Sequence, residues 1–215
     1  MINRRAAALA MVVLFLLTGD IAAATSIDIS VLWEPDARDD AQVYMHAANI
    51  VYPIRRHRIE AIYERMQRPD LDYPILAFIA YNARADVRTV WAWRSKDHSW
   101  FEVMTHFGVK PDALFVALPD APRRPYGKAY GYWKKHRNAT TSRHVSDDDV
   151  RFWISLRTVA SFSGMSIESV YARYQKGEKI RHIAGDHHRN EGDAVAKSSR
   201  NHPARKNKKG SSPGY

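Results

Sequence analysis

Residues 81–104 read YNARADVRTVWAWRSKDHSWFEVM, and residues 161–184, eighty positions on and without a gap, read SFSGMSIESVYARYQKGEKIRHIA. This register pairs Val90 with Val170, Ala92 with Ala172 and Lys96 with Lys176, and just upstream Leu76 with Leu156 and Ala80 with Ala160. Substitutions in kind extend it: Val87 with Ile167, Trp91 with Tyr171, Val103 with Ile183. In the first copy Asp86 is the expected N-cap of a helix over 87–94, a polar turn follows at 95–98, and a helix over 99–107 turns Trp100, Val103, Met104 and Phe107 inward. Gly108 suits a left-handed stop. In the second copy Ser166 caps 167–175, Lys176 and Gly177 make the turn, and a shortened helix is expected over 178–184. Stacked units that bury one face against a neighbour make the fold class mainly α, built of tandem helix-turn-helix-like repeats.

Upstream of the first copy, Asp72 reads as the N-cap of a helix over 73–82 with Pro74 in its first turn. Upstream of the second, Ser146 and Asp149 approximate a capping box for 151–162, and Asp147, Asp148 and Asp149 complement the helix dipole. A partial third copy over 59–66 (IEAIYERM) echoes 167–174 (IESVYARY), on an amphipathic stretch 54–66 that keeps Arg55, Arg56, Arg58 and Arg65 wet. Residues 41–50 are helix-like and stop before Pro53. The alternation of Ile27, Ile29, Val31 and Trp33 with Asp28 and Ser30 predicts a short strand or an unstructured leader within 25–40. Residues 112–118 fit helix and strand equally. The expected domain spans 41–185, with units at about 51–70, 72–108 and 146–185 and a linker at 119–145.

Both ends read differently from this domain. Residues 1–24 run from Arg4 and Arg5 through an apolar stretch to Ala22, Ala23 and Ala24, the grammar of a signal peptide cleaved after Ala24. The apolar run is shorter than the ~20 residues a membrane span needs. Residues 186–215 are rich in His, Lys, Arg, Asn, Gly and Ser and read as a disordered basic tail. Formal charge is +10; without Arg4, Arg5 and Asp20 there remain 31 basic and 22 acidic side chains, or +9. A cation of this size seeks polyanions. The chain has no cysteine, which excludes disulfides, thiolate metal sites and a thiol nucleophile.

Between the copies lies Pro122-Arg123-Arg124-Pro125-Tyr126-Gly127-Lys128-Ala129-Tyr130-Gly131-Tyr132-Trp133. On a helix Tyr126 and Tyr130 share one face, and Gly127 and Gly131, able to admit a neighbouring backbone, share another. One reading is a linker clamped onto the repeat core. The other is a ligand surface for a sugar or anionic polymer made by Tyr126, Lys128, Tyr130, Tyr132 and Trp133, with Lys134, Lys135 and Arg137 adding charge.

This run, with Phe107-Gly108-Val109 before it and Ser146-Asp147-Asp148-Asp149-Val150 after it, resembles an uncharacterised family of exported bacterial proteins over residues 51–183. The resemblance implies a mostly helical exported domain and transfers neither an activity nor a catalytic residue.

The reading that follows is an exported, non-enzymatic binding or structural module of the cell envelope, periplasmic or secreted. Its expected partner is an anionic envelope polymer or an envelope protein; no cofactor, metal or catalytic residue is assigned. The spacing also suits a DNA-binding helix-turn-helix protein should the N-terminus not be a signal, but Trp91, Trp93, Tyr171 and Tyr174 are poor base readers. An envelope enzyme on glycan or peptide is the third reading, without a metal motif, nucleophile elbow or phosphate loop to support it. His182, His187 and His188 near Asp186 are a weak metal candidate.

Overall fold

Helix α1 (Asp40–Val51) is the axis of the fold. Asp39 caps it, its Oδ1 accepting from the backbone N–H of Ala41 and of Gln42 at 2.9 Å each. The small Ala47 and Ala48, fully buried with Met45, let α3, α8 and α10 close around it. The computed structural model describes residues 29–32, 39–122, 126–136 and 144–200, with side chains as far as residue 190. Among the described residues the regular structure is entirely helical, so the chain is mainly α. The signal sequence expected over 1–24 lies outside them.

Two three-helix units pack on α1. The first is α3 (Pro69–Ala83), α4 (Val87–Arg94) and α5 (Trp100–His106); the second is α8 (Asp147–Ser163), α9 (Ile167–Gln175) and α10 (Ile180–Arg200). Shifting the first by eighty superposes the ends of α3 and α8 and the starts of α4 and α9 and of α5 and α10. Backbone handedness follows the same register: Arg84 (φ 52°) and Gly164 (φ 67°) are left-handed, as are Asp97 (φ 62°) and Gly177 (φ 97°). So do the caps. Asp86 accepts from the N–H of Arg88 at 2.9 Å, and Ser166 from that of Ser169 at 3.1 Å. Leu76 and Leu156, Val90 and Val170, and Val103 and Ile183 are fully buried pairs.

The units clasp each other through charge. Asp147, in the first turn of α8, accepts the Trp100 N–H that opens α5 at 2.7 Å and pairs with Arg94 at 2.8 Å. In the opposite direction Arg181 of α10 pairs with Asp70 of α3 at 3.0 Å. A second Arg181 contact answers a local defect. Pro74 inside α3 has no N–H for the Asp70 carbonyl four residues back, and Arg181 donates to that carbonyl at 3.1 Å.

Four expectations need correction. The N-terminal strand is not formed where it can be seen: Ile29–Leu32 is a turn of 3₁₀ helix. Its anchor is Leu32, fully buried, whose carbonyl accepts from Asn49 at 3.0 Å; no described strand offers a partner ladder. Helix α3 starts at Pro69, a turn before the expected cap Asp72, which is drawn inward to accept from the Trp100 indole N–H at 3.2 Å. Helix α2 (Arg56–Tyr63) begins three residues before the third copy's register and packs singly across α4. The basic tail expected from residue 186 is helix through Arg200, because its first turns have tertiary partners. Asp186 pairs with Arg173 at 2.9 Å and with Arg189 at 2.8 Å, and the His187 ring meets Phe162 at 5.5 Å. Residues 201–215 lie outside the described part.

Candidate ligand cleft beside α7

Between the copies the chain forms α6 (Pro111–Leu114), a non-helical stretch described as far as Pro122, and α7 (Gly127–Lys135). Arg157 of α8 holds the stretch, donating to the carbonyls of Leu114 at 2.8 Å and Phe115 at 3.0 Å. One side of α7 seals this onto the second unit. Tyr130, 1% exposed, stacks on Trp153 at 5.3 Å, and its hydroxyl accepts from the Leu118 N–H at 2.9 Å. Trp133 stacks on Phe115 at 5.2 Å and donates its indole N–H to Asp112 at 2.8 Å. These two of the five expected ligand residues therefore sit in the core, as the linker reading of this run has them. Alanine at Trp133 would cost about 3–5 kcal/mol of stability.

The other three remain accessible. Lys128 is exposed, as are Lys134 and Lys135, while Tyr132 is half-buried between the rings of His136 (4.9 Å) and His144 (4.5 Å). From residue 121 to 145 the sequence carries seven Lys and Arg and no Asp or Glu, so no neighbour along the chain offsets the lysines of α7. Tyr126, ahead of α7, turns the opposite way and lies flat on Phe152 of α8, with centroids 4.0 Å apart and planes 3° from parallel.

That pair belongs to a cleft of about 700 Å³ between the start of α1, α8 and the start of α10. It adjoins a second hollow of about 360 Å³, and Tyr126, Tyr174 and Lys179 border both. Phe152 meets Tyr174 at 5.2 Å, so three rings form a continuous wall. Ser155 lines the cleft and shares a hydrogen bond of 2.8 Å with the buried Tyr44. Burial pushes the Tyr44 phenol up to about 12. Burial also raises Tyr126, helped by Tyr174, Asp148 and Asp149, and raises Tyr174, helped by Tyr171. Both wall phenols thus stay neutral and present O–H groups. Charge of both signs rims the cleft: Asp39, Asp40 and Asp148 against Arg151, Lys179 and Arg181. Arg151 is tied to Asp148 at 2.9 Å, whereas Lys179 is exposed with no ion pair among the described residues.

Flat apolar rings with hydroxyls and mixed charge suit a ring-bearing polar ligand, gripped by stacking and oriented by hydrogen bonds. Sequence reasoning found Tyr126 but missed Phe152, Tyr174 and Lys179. The wall unites residues 26 and 48 positions from Tyr126, and the signals present, three aspartates at 147–149 and tyrosines at 171 and 174, read locally as dipole partners and core. The three candidate metal histidines diverge. His182 lies 3.0 Å from Asp40, His187 packs on Phe162, and His188 faces His46 at 6.2 Å. Among the described residues no group of His, Asp and Glu is arranged to hold a metal ion.

Compared with protein-family models, curated proteins and solved structures, the chain matches none.

Proposed function

We propose that the chain is an exported binding module of the cell envelope that takes an anionic polysaccharide, with one sugar ring seated in the cleft and the polymer following the lysine face of α7. The observation that carries this reading is the Tyr126–Phe152–Tyr174 wall with the exposed Lys179 on its border, Tyr126 being continuous in sequence with the stretch 121–145 that carries seven Lys and Arg and no Asp or Glu. Aromatic faces accept the apolar face of a pyranose, and Lys128, Lys134 and Lys135 attract carboxylate or phosphate groups along the chain. Export rests on the N-terminal signal grammar; recovery of a full-length cytoplasmic product that keeps residues 1–24 would remove that half of the proposal. Binding rests on the cleft. Retention of the processed protein on an immobilised anionic polysaccharide should fall steeply from low to high salt, and Tyr126→Ala or Tyr174→Ala should weaken it with little change in melting temperature. Equal retention on a neutral polysaccharide, or retention unmoved by both tyrosine variants, would overturn it.

A further inference from the structure

A second surface, which uses neither the cleft nor α7, lies where α1 ends, α2 begins and α3 ends. We infer that this corner docks the protein on an anionic phospholipid surface. Among the described residues two large hydrophobic side chains are exposed, Ile50 (54%) in the last turn of α1 and Tyr81 (55%) in the last turn of α3, and the two helix ends meet where Tyr52, just after α1, packs on Phe78 and Tyr81. Tyr81 leans on the buried Tyr52, with ring centroids 5.7 Å apart, so the ring is held outward by a fixed support. Beside it opens a hollow of about 220 Å³ lined by Pro53, Ile54, Ala85 and the two arginines Arg55 and Arg58.

The cationic side of the corner is under-compensated. Arg55 is exposed and has no carboxylate partner among the described residues, nor has Arg84, exposed three positions beyond Tyr81. Arg58 reaches Asp86 only at 3.6 Å. That carboxylate is already engaged through both oxygens by Arg88, at 3.1 and 2.9 Å, and also caps α4. Glu60, the acidic residue within α2, is paired with Arg56 at 2.8 Å. The corner therefore presents Arg55 and Arg58 on the hollow that Tyr81 borders, with Arg84 three positions beyond that tyrosine and Ile50 at the adjoining end of α1.

A soluble polyanion would use the arginines but would leave Ile50 and Tyr81 in water. A bilayer interface uses both: headgroup phosphates pair with guanidinium groups, while an aromatic ring and an aliphatic side chain enter the headgroup boundary. No helix among the described residues is long and apolar enough to cross a membrane, and the docking uses only the surface of this corner.

Vesicle co-sedimentation of the naturally processed chain tests this, with phosphatidylglycerol–phosphatidylcholine vesicles against phosphatidylcholine alone. Binding is expected on the anionic vesicles and not on the neutral ones. Arg55→Gln with Arg58→Gln should weaken it roughly 25-fold, at about fivefold per arginine. Ile50→Ser with Tyr81→Ser should weaken it comparably at unchanged lipid charge. Lys128→Gln with Lys134→Gln and Lys135→Gln should leave it within about twofold, since those lysines stand outside the corner. All of these side chains are exposed, and an unchanged circular dichroism melt confirms that each variant is folded. Equal binding to neutral vesicles, loss in the α7 variant, or wild-type binding by either corner variant would overturn the inference; the last outcome, with the apolar pair silent, would assign the arginines to a soluble polyanion. Failure of polysaccharide binding leaves this result untouched, because that binding is read on a different surface and probe.

Discussion

Gly127 and Gly131 lie four apart on α7 and meet different surroundings. A Cβ on Gly127 would collide with the Pro122 carbonyl oxygen, whereas one on Gly131 would have nothing within 4 Å. The close approach expected from the glycine spacing is thus real at one position only. Gly127→Ala should lower the melting temperature, and Gly131→Ala should raise stability by about 0.5–1 kcal/mol through helix propensity; thermal melts of the two variants separate the cases. The repeat supplies a matching experiment. Where the second unit has Gly164 and Gly177 in left-handed conformation, the first has Arg84 and Asp97. Arg84→Gly and Asp97→Gly should each stabilise by up to about 1 kcal/mol in urea denaturation, the relief of the Cβ clash outweighing the added freedom of the unfolded chain. At Pro74 the partner of an orphaned carbonyl comes from α10. Arg181→Met should cost about 1–2 kcal/mol, since it leaves the part-buried Asp70 carbonyl and carboxylate without this donor, and Pro74→Ala should recover part of it by restoring the missing N–H. A double-mutant cycle that shows the two changes strictly additive would contradict this account.

Helix termini set the pH response. Asp86 is held at about 2, below its ordinary 3.8, by the Arg88 guanidinium and then by the Arg88 backbone N–H. Glu102, bonded by the Ser99 N–H and hydroxyl, Glu178, bonded by Arg173, and Asp186, bonded first by Arg189, are also lowered. A carboxylate whose folded pKa is depressed stabilises fully above its unfolded value and loses that contribution as pH falls through the folded one. Stability in urea should therefore decline from about pH 4 toward about pH 2, and Asp86→Asn should flatten part of that limb. The alkaline side has the opposite sign. Burial raises Tyr44 to about 12 and raises Tyr52 and Tyr73, so the unfolded chain ionises first and stability should fall above the ordinary phenol value of 10. Asp86, Ser146 and Ser166 were legible as caps because a cap is read over three or four positions, whereas Ser99, expected inside its helix, is the N-cap of α5.

Across the whole molecule the two units are held by α1 and by the reciprocal contacts of Asp147 with Arg94 and of Asp70 with Arg181. Helix α10 closes the assembly. At Gly185 a Cβ would run into the Asp40 carboxylate, so the absence of a side chain lets α1 and α10 meet, and Arg189 lies 3.5 Å from that same carboxylate. Truncation after Gly185 removes Asp186 and Arg189 and should lower the melting temperature by several degrees; a melt identical to that of the full chain would show that α10 beyond Gly185 contributes nothing.

Local chemistry was enough to establish the class of the fold, the gapless eighty-residue repeat, and the start of α4, because caps, left-handed turns and helical periodicity act within a few residues. The same local signals placed Trp100, Val103 and Met104 in the core, while Phe107, expected inward with them, is half-buried. Contacts between distant segments lay beyond that reach. Asp72 left its expected capping role for the Trp100 indole, the charged stretch from Asp186 became helix once Arg173 and Phe162 stood beside it, and the tyrosine-rich run divided into core and cleft according to which side of α7 met the second unit. Charge and aromatic side chains look the same in a sequence whether they face water, a ligand or a partner helix; the packing of the two units around α1 chose among these for each residue.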